Sequence, residues 1–411
     1  MAASRGRGTG TNQEAVRRHN LATLLGHVHH SGGVSRAQLT ERMGLNRSTI
    51  GDLVRELDEL AVVHQSTPDV GGTRAGAGRP SLDVNPDPDS VHVLAAELGV
   101  DTLDVARIGL GGSVLDRISR PTPSSPDPDV VVDLVVDMLR ELLASASTAS
   151  RLVGIGVAVP GVVNDASGLV RFAPNLGWSD VQLTPMLASR IGLKVPVRLG
   201  NDAELGALAE HIRGAGRHLN HLVYISCDVG VGGGVIMSGV PMRGASGYAG
   251  EVGHQRFDNG SARCRCGNTG CWETEIGSHA VAEAVGCPPE HIDRLEEYLR
   301  PGQPVPPALR RLARSLGVGL GGLVNVFNPE VVILGGVLRW VYPLVRDDVL
   351  DAFEAWALDA PAREANIVLP WLAGDSVMVG AAELAFTDLL ADPVGSLARA
   401  EGALSTVMGA V

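Results

Sequence analysis

Aromatic residues make up only 3% of the chain, so its core must be packed from Val, Leu, Ile and Ala. No stretch of about 18 uninterrupted apolar residues occurs, which argues against a membrane-spanning helix. The opening residues carry Arg5 and Arg7 with no apolar segment behind them. They do not read as a secretory signal, and a cytoplasmic location is expected. Cysteine is scarce too: five in 411 residues, three of them crowded into Cys264–Cys271. That is a poor disulfide framework, and without an export signal the crowding favours a metal. What is present is length enough for two or three domains of roughly 100–200 residues. The composition, 45% hydrophobic with 52 Gly and 24 Pro, fits ordinary globular α/β structure.

The net charge of −12 hides an asymmetry. Residues 1–80 carry ten Arg against seven acidic residues, whereas the remainder is strongly acidic. A small basic head on an acidic body fits nucleic-acid contact confined to the head, although charge alone does not separate this from chance.

In the head, Leu21, Leu24, Leu25 and Val28 follow helical spacing, and Gly32–Gly33 stops that helix. Ser35 with Gln38 forms a capping box for a short helix ending at Gly44. Asn46 suits the N-cap of the next helix, whose apolar face is Ile50, Leu53, Val54 and Leu57. Short helix, tight turn and longer helix is helix-turn-helix spacing. Arg47, Ser48 and Thr49 occupy the first turn of the second helix, where side chains of this motif reach base edges. Arg36 opens the preceding helix. A solvated helical hairpin would show the same pattern. Val62–Ser66 reads as one strand of a wing. The Gly-rich stretch 71–80 carries Arg74 and Arg79 on flexible backbone, suited to phosphates or a minor groove or to a plain linker. Ser81–Ser90, with two prolines and three aspartates, reads as a linker.

An imperfect repeat follows. Val91–Leu98 and Leu222–Cys227 are each a buried strand that meets an acidic residue and a Gly, then turns into a second strand. Such duplication points to two similar lobes around a cleft. Val130–Leu143 and Arg310–Asn325 read as helices. Leu152–Val159 and Val331–Leu334 read as buried strands.

His254 with Cys264, Cys266 and Cys271 has the composition of a closed Cys₃His zinc site. Four protein ligands leave no open position, so the ion would be structural. Cys287 lies outside this spacing. Asn175, Asn201, Asp202, Glu251, His254 and Glu273 are the amide, carboxylate and imidazole groups that a polyhydroxylated ligand needs. Singly, each also reads as a loop polar or a cap.

On these residues the sequence resembles the ROK family of repressors, open reading frames and sugar kinases, from about Gln13 to Phe386. The motifs are Gly154–Gly161, Pro174-Asn175-Leu176-Gly177-Trp178, Asn201-Asp202, Ala249–His254 and the cysteine stretch through Trp272-Glu273. The resemblance implies an α/β fold: an N-terminal winged helix-turn-helix followed by a two-lobed actin-like, sugar-kinase (ribonuclease H-like) body. The boundaries expected are an arm at 1–12, the DNA-binding domain at 13–80 and a linker at 81–90. The first lobe spans 91–200. The second spans 201–411 with the zinc loop, its C-terminal helix packing back on the first lobe. The resemblance also implies sugar contacts from the six residues above and zinc at His254, Cys264, Cys266 and Cys271.

In the family's kinases Asp202 would be the general base, and two loops, Asp-x-Gly-Gly-Thr and Gly-Thr-Gly-x-Gly, would carry ATP phosphates. This chain departs at both, with Glu97-Leu98-Gly99-Val100-Asp101 and Asp228-Val229-Gly230-Val231-Gly232. Val100 adds a branched side chain where backbone should approach phosphate, Val229 removes a hydroxyl, and the added carboxylates Asp101 and Asp228 repel a triphosphate by about 1 kcal/mol or more per close pair. The expectation is a non-enzymatic regulator, a repressor of carbohydrate genes that binds duplex DNA at a pseudo-palindrome as a homodimer or homotetramer. A sugar or sugar phosphate would alter its DNA binding. A sugar kinase with a DNA-binding head is the alternative.

Overall fold

The computed structural model describes residues 13–408 except 68–80, 125, 148, 257–259 and 303. The arm expected at 1–12 and the wing arginines Arg74 and Arg79 lie outside the described residues.

The head is built by the local rules its sequence spells out. Helix α1 (Gln13–Ser31) buries Leu21, Leu24, Leu25 and Val28. After strand β1 (Val34–Ser35), the Ser35 side chain accepts from the Gln38 N–H and caps α2 (Arg36–Met43). Gly44 ends that helix in the left-handed region at φ 65°, a conformation that costs glycine nothing. Asn46 caps α3 (Arg47–Glu59) by accepting from the Thr49 N–H at 2.8 Å. Burial of each leucine in this three-helix core contributes about 1.5–3 kcal/mol. Strands β2 (Val63–Ser66) and β3 (Asp83–Pro86) complete an antiparallel sheet in the order β1-β3-β2. Residues 83–86 are thus the central strand of the head's sheet rather than linker. Val84 and Pro86 alternate inward, a period-2 signal masked by the surrounding prolines and aspartates.

The first lobe contains β4 (Val91–Leu98), β5 (Thr102–Gly109), β6 (Val114–Pro121), α4 (Pro128–Ser145) and β7 (Arg151–Val159). A small sheet of β8 (Val162–Asn164), β9 (Leu169–Ala173) and β10 (Trp178–Val181) follows, then α5 (Leu183–Ile191) and β11 (Val197–Asn201). The second lobe starts with α6 (Asp202–Arg213), β12 (Leu222–Cys227), β13 (Val231–Met237) and β14 (Val240–Pro241). It continues with α7 (Glu273–Ile276), α8 (Ser278–Val285), α9 (Pro307–Phe327), β15 (Val331–Gly336), α10 (Leu338–Trp356), α11 (Asp359–Glu364) and β16 (Asn366–Val368). Helices α12 (Ser376–Ala391) and α13 (Pro393–Met408) close the described chain.

The two large sheets have the same order and polarity. One runs β6-β5-β4-β7-β11, the other β14-β13-β12-β15-β16. In each, an antiparallel meander supplies three strands and two further strands add in parallel. The repeat seen in the sequence is therefore a repeat of topology. Helix α12 packs on β4 and β7 of the first sheet and against α6, which packs on β12 and β13 of the second. The α6–α12 pair thus lies between the lobes. No helix among the described residues is long and apolar enough to cross a membrane.

Candidate functional site

A cavity of about 430 Å³ lies between the two sheets, lined from both lobes. Asn175, Asn201, Asp202, Glu251, His254 and Glu273 all face it, so the six residues singled out in the sequence share one space. Each is half-buried.

Asn201 and Asp202 sit where β11 runs into α6. Asn201 caps that helix by accepting from the Glu204 N–H and donates to the Gly161 carbonyl, both at 3.0 Å. Its amide is largely occupied in holding the loop, a role not read from the sequence. Asp202 accepts from the Ala203 N–H at 2.8 Å. Burial, with help from Asp228 and Glu251, pushes its carboxyl up to about 7. Glu273 accepts from the Val231 N–H at 3.1 Å and from the Cys264 thiol at 3.2 Å. A Cβ on Gly230 would stand 2.7 Å from the Glu273 carboxylate and 3.1 Å from the Asn175 amide. A side chain there would push the Glu273 carboxylate or the Asn175 amide aside.

The cavity has further acidic lining. Glu97, Asp101, Asp104 and Asp228 line it, with Val100 and Val229 on the two turns and Arg117 and Arg339 facing them. Burial first, then Asp228, Asp104 and Asp202, push the Glu97 carboxyl up to about 8. Arg117 pairs with Asp104 at 3.4 Å and with Asp375 at 2.6 Å.

His254, Cys264, Cys266 and Cys271 bring their ligand atoms within 4.8 Å of one another. Cys264 Sγ lies 3.8 Å from His254 Nδ1, and Cys266 Sγ lies 3.7 Å from Cys271 Sγ. With Zn–S near 2.3 Å, a tetrahedron has edges of about 3.7 Å, so these four residues fit a zinc ion. Nδ1 of His254 faces the cysteines, while Nε2 stands 3.7 Å from Glu251 Oε2 beside the cavity. Cys287 is buried apart from the cluster.

Sequence reading missed Arg265. This residue between two of the cysteines donates to Asn175 Oδ1 at 3.1 Å, so the cysteine loop of the second lobe touches the first lobe at the cavity mouth. In the head, Arg47 and Ser48 are exposed at the start of α3, and Thr49 is half-buried. Ser48 donates to its neighbour Asn46 at 2.7 Å. Arg36 is half-buried, and its Nε has no hydrogen-bond partner.

The xylose repressor of Caldicellulosiruptor bescii is 28% identical over 378 residues, covering 88% of this chain and 93% of its own length. A match that wide cannot fit within residues 93–411, so it takes in part of the head. A ROK family glucokinase from Streptomyces griseus, solved with glucose and AMPPNP, is 29% identical with a TM-score of 0.62. It covers 72% of this chain and 99% of its own. A ROK family transcriptional regulator, a homologue of the E. coli MLC protein, has the same fold at a TM-score of 0.70 and 24% identity. It covers 95% of this chain and 98% of its own. The ROK family profile itself matches residues 93–388. With a two-lobed body of duplicated topology and a profile match over most of its length, the chain belongs to the ROK family.

Proposed function

We propose that this protein is a sugar-responsive transcriptional repressor: a winged helix-turn-helix head binds duplex DNA, and the cavity binds a sugar without phosphorylating it. What carries the reading is the composition of one cavity. Hydroxyl-binding amides, carboxylates and an imidazole line it, together with further carboxylates on the two turns that correspond to the kinases' phosphate loops. Asp101 and Asp228 disfavour a triphosphate, Val100 places a branched side chain at the turn that would cradle it, and Val229 lacks the hydroxyl a phosphate would use. The sugar contacts are Asn175, Asp202, Glu251, His254 and Glu273. Asn201 contributes chiefly by fixing the start of α6.

In the head, Arg47, Ser48 and Thr49 are the base-reading candidates, with Arg36, Arg74 and Arg79 toward the phosphate backbone. Two heads in a homodimer, or pairs of them in a homotetramer, would meet a pseudo-palindromic operator. Zinc at His254, Cys264, Cys266 and Cys271 would be structural. Burial pushes the Cys264 and Cys271 thiols up, and a bound cation favours the thiolates. His254 then presents Nε2 to the ligand with its ring orientation fixed. The cytoplasm is the compartment that suits a DNA-binding protein with unpaired thiols.

Thermal-shift screening of D-xylose, D-glucose and their phosphates tests the sensor, together with mobility-shift titration on operator DNA. The expected result is stabilisation and altered DNA binding by at least one sugar, with Asp202→Asn losing both. No response to any sugar would overturn the reading. A second reading, a sugar kinase with a DNA-binding head, draws on Asp202. Its carboxyl, pushed up to about 7, is poised as a general base would be. Sugar-dependent ATP turnover well above background would decide for it.

A further inference from the structure

The head is fastened to the body by a buried junction that plays no part in the cavity. His29 comes from α1, Glu383 from the second turn of α12, Arg213 from the end of α6 and Gly111 from the turn between β5 and β6. The side chains of His29 and Glu383 are 0% and 2% exposed, and that of Arg213 is 11% exposed. The Gly111 N–H donates to His29 Nδ1 at 2.9 Å. Nε2 stands 3.0 Å from Glu383 and 2.8 Å from Arg213 Nη2. Arg213 Nε donates to the other oxygen of Glu383 at 2.5 Å. Its Nη1 reaches the Gly111 carbonyl at 2.7 Å and the His29 carbonyl at 3.2 Å. His29, His30 and Glu383 could by themselves hold a metal ion. The guanidinium already fills that place, and Gly111 occupies the free lone pair of His29, so the cluster reads as an ion bridge.

Its position in the topology gives the bridge a purpose. Helix α6 begins at Asp202 on the cavity and ends at Arg213, about 16 Å away at 1.5 Å per residue. Helix α12 begins at Ser376 and Val377, also on the cavity, and reaches Glu383 about 10 Å further on. One helix packs on the second-lobe sheet and the other on the first-lobe sheet. The head rides on the first lobe, where Arg151 of β7 donates to the Leu60 carbonyl at 2.7 Å. Arg213 brings the second lobe to that same head.

We propose that α6 and α12 transmit movement of the cavity walls to the head through the Arg213–Glu383–His29 junction. The proposal rests on the reading that the cavity takes a sugar. If the lobes rotate, α6 shifts relative to the first lobe, and Arg213 must keep or lose the Gly111 and His29 carbonyls. A buried bridge of this kind is either made or broken, because a half-paired charge inside the protein is costly. Helix α1 packs against α3, so a shift of α1 re-aims the helix that carries Arg47.

Hydrogen exchange on the full chain tests this, comparing wild type with Arg213→Lys and Glu383→Gln. Lysine keeps a charge beside Glu383 but cannot span both carbonyls. Glutamine keeps the shape of Glu383 and removes its charge. Without sugar, amides of residues 24–31 should exchange faster in both variants, by about ten-fold. Unchanged exchange in both would overturn the junction. With D-xylose or D-glucose, wild type should show protection at residues 249–254 and a change of about five-fold or more in α1. Arg213→Lys should keep the protection at 249–254 and lose the change in α1. A variant whose α1 still responds as wild type does would overturn the lever while leaving the sensor standing. A wild type in which neither sugar protects 249–254 would count against the sensor itself, and the lever would fall with it.

Discussion

Replacing Glu97 by glutamine should make the protein more stable at high pH and leave it almost unchanged at low pH. The carboxyl lies on β4 among the acidic residues that line the cavity, where burial and then Asp228, Asp104 and Asp202 push it from its ordinary 4.5 up to about 8. Between those two values the folded chain keeps a proton that the unfolded chain has lost. Stability therefore falls as pH rises through this window and is flat above it. A gap of this size corresponds to at most about 5 kcal/mol at about 1.4 kcal/mol per pH unit. Rearrangement of the neighbouring carboxylates and water in the open cavity will reduce it, and about 3 kcal/mol is a working figure. With an unfolding entropy of about 2.1 cal/mol/K per residue, that is a Tm difference of about 3 °C for a chain of this length. Differential scanning calorimetry at pH 5 and pH 8.5, on wild type and Glu97→Gln, reads it directly. The two proteins should unfold together at pH 5 and apart at pH 8.5, with the variant higher. Parallel pH profiles would refute the claim that burial among these carboxylates holds Glu97 protonated in the folded chain.

Cys266→Ser should lower zinc from one ion per chain to near none by elemental analysis, and should lower the Tm as the loop 254–271 loses its tie. An unchanged metal content would remove the cluster from consideration. Arg47→Ala should weaken operator binding by about 1–3 kcal/mol in a fluorescence-anisotropy titration, with its effect greatest on the preferred sequence. Equal loss on random DNA would make Arg47 a phosphate contact. Glu383→Ala should cost about 3–5 kcal/mol by denaturant titration, since Arg213 is then left buried without its carboxylate. His29 and Arg213 hold the Glu383 carboxyl at about 2, below its ordinary 4.5, against the opposing effect of burial. Its contribution is therefore complete above pH 4.5 and is lost as pH falls toward 2, so wild type and variant should converge in acid.

Much of this structure could be read from the sequence wherever the governing interaction is local. Ser35 with Gln38, Gly44 and Asn46 set the ends of the head's helices through contacts no more than four residues long, and all three behave as their chemistry dictates. The four zinc-ligand candidates crowd together because three of them sit within one tight loop. The duplicated strand–turn–strand was visible because both copies are apolar runs meeting an acid and a glycine. Strand β3 was hidden because Asp83–Pro86 is flanked by turn-forming residues, and its two inward positions gain their meaning only from β1 and β2. Asn201 faces the cavity as expected, and its amide also serves the helix start and the Gly161 carbonyl, partners that only the folded loop supplies. His29, Arg213 and Glu383 show the limit most plainly. They are separated by well over a hundred residues at each step, carry no spacing signal, and meet only because two hinge helices and the head converge.

One imidazole, that of His254, looks two ways: Nδ1 toward three thiols, Nε2 toward the ligand space. If zinc and sugar bind as proposed, effector recognition and metal occupancy are coupled through this ring. Chelation should produce a chain that still folds its sheets and still carries a head, yet has gone deaf to its signal, a phenotype easily mistaken for choosing the wrong sugar.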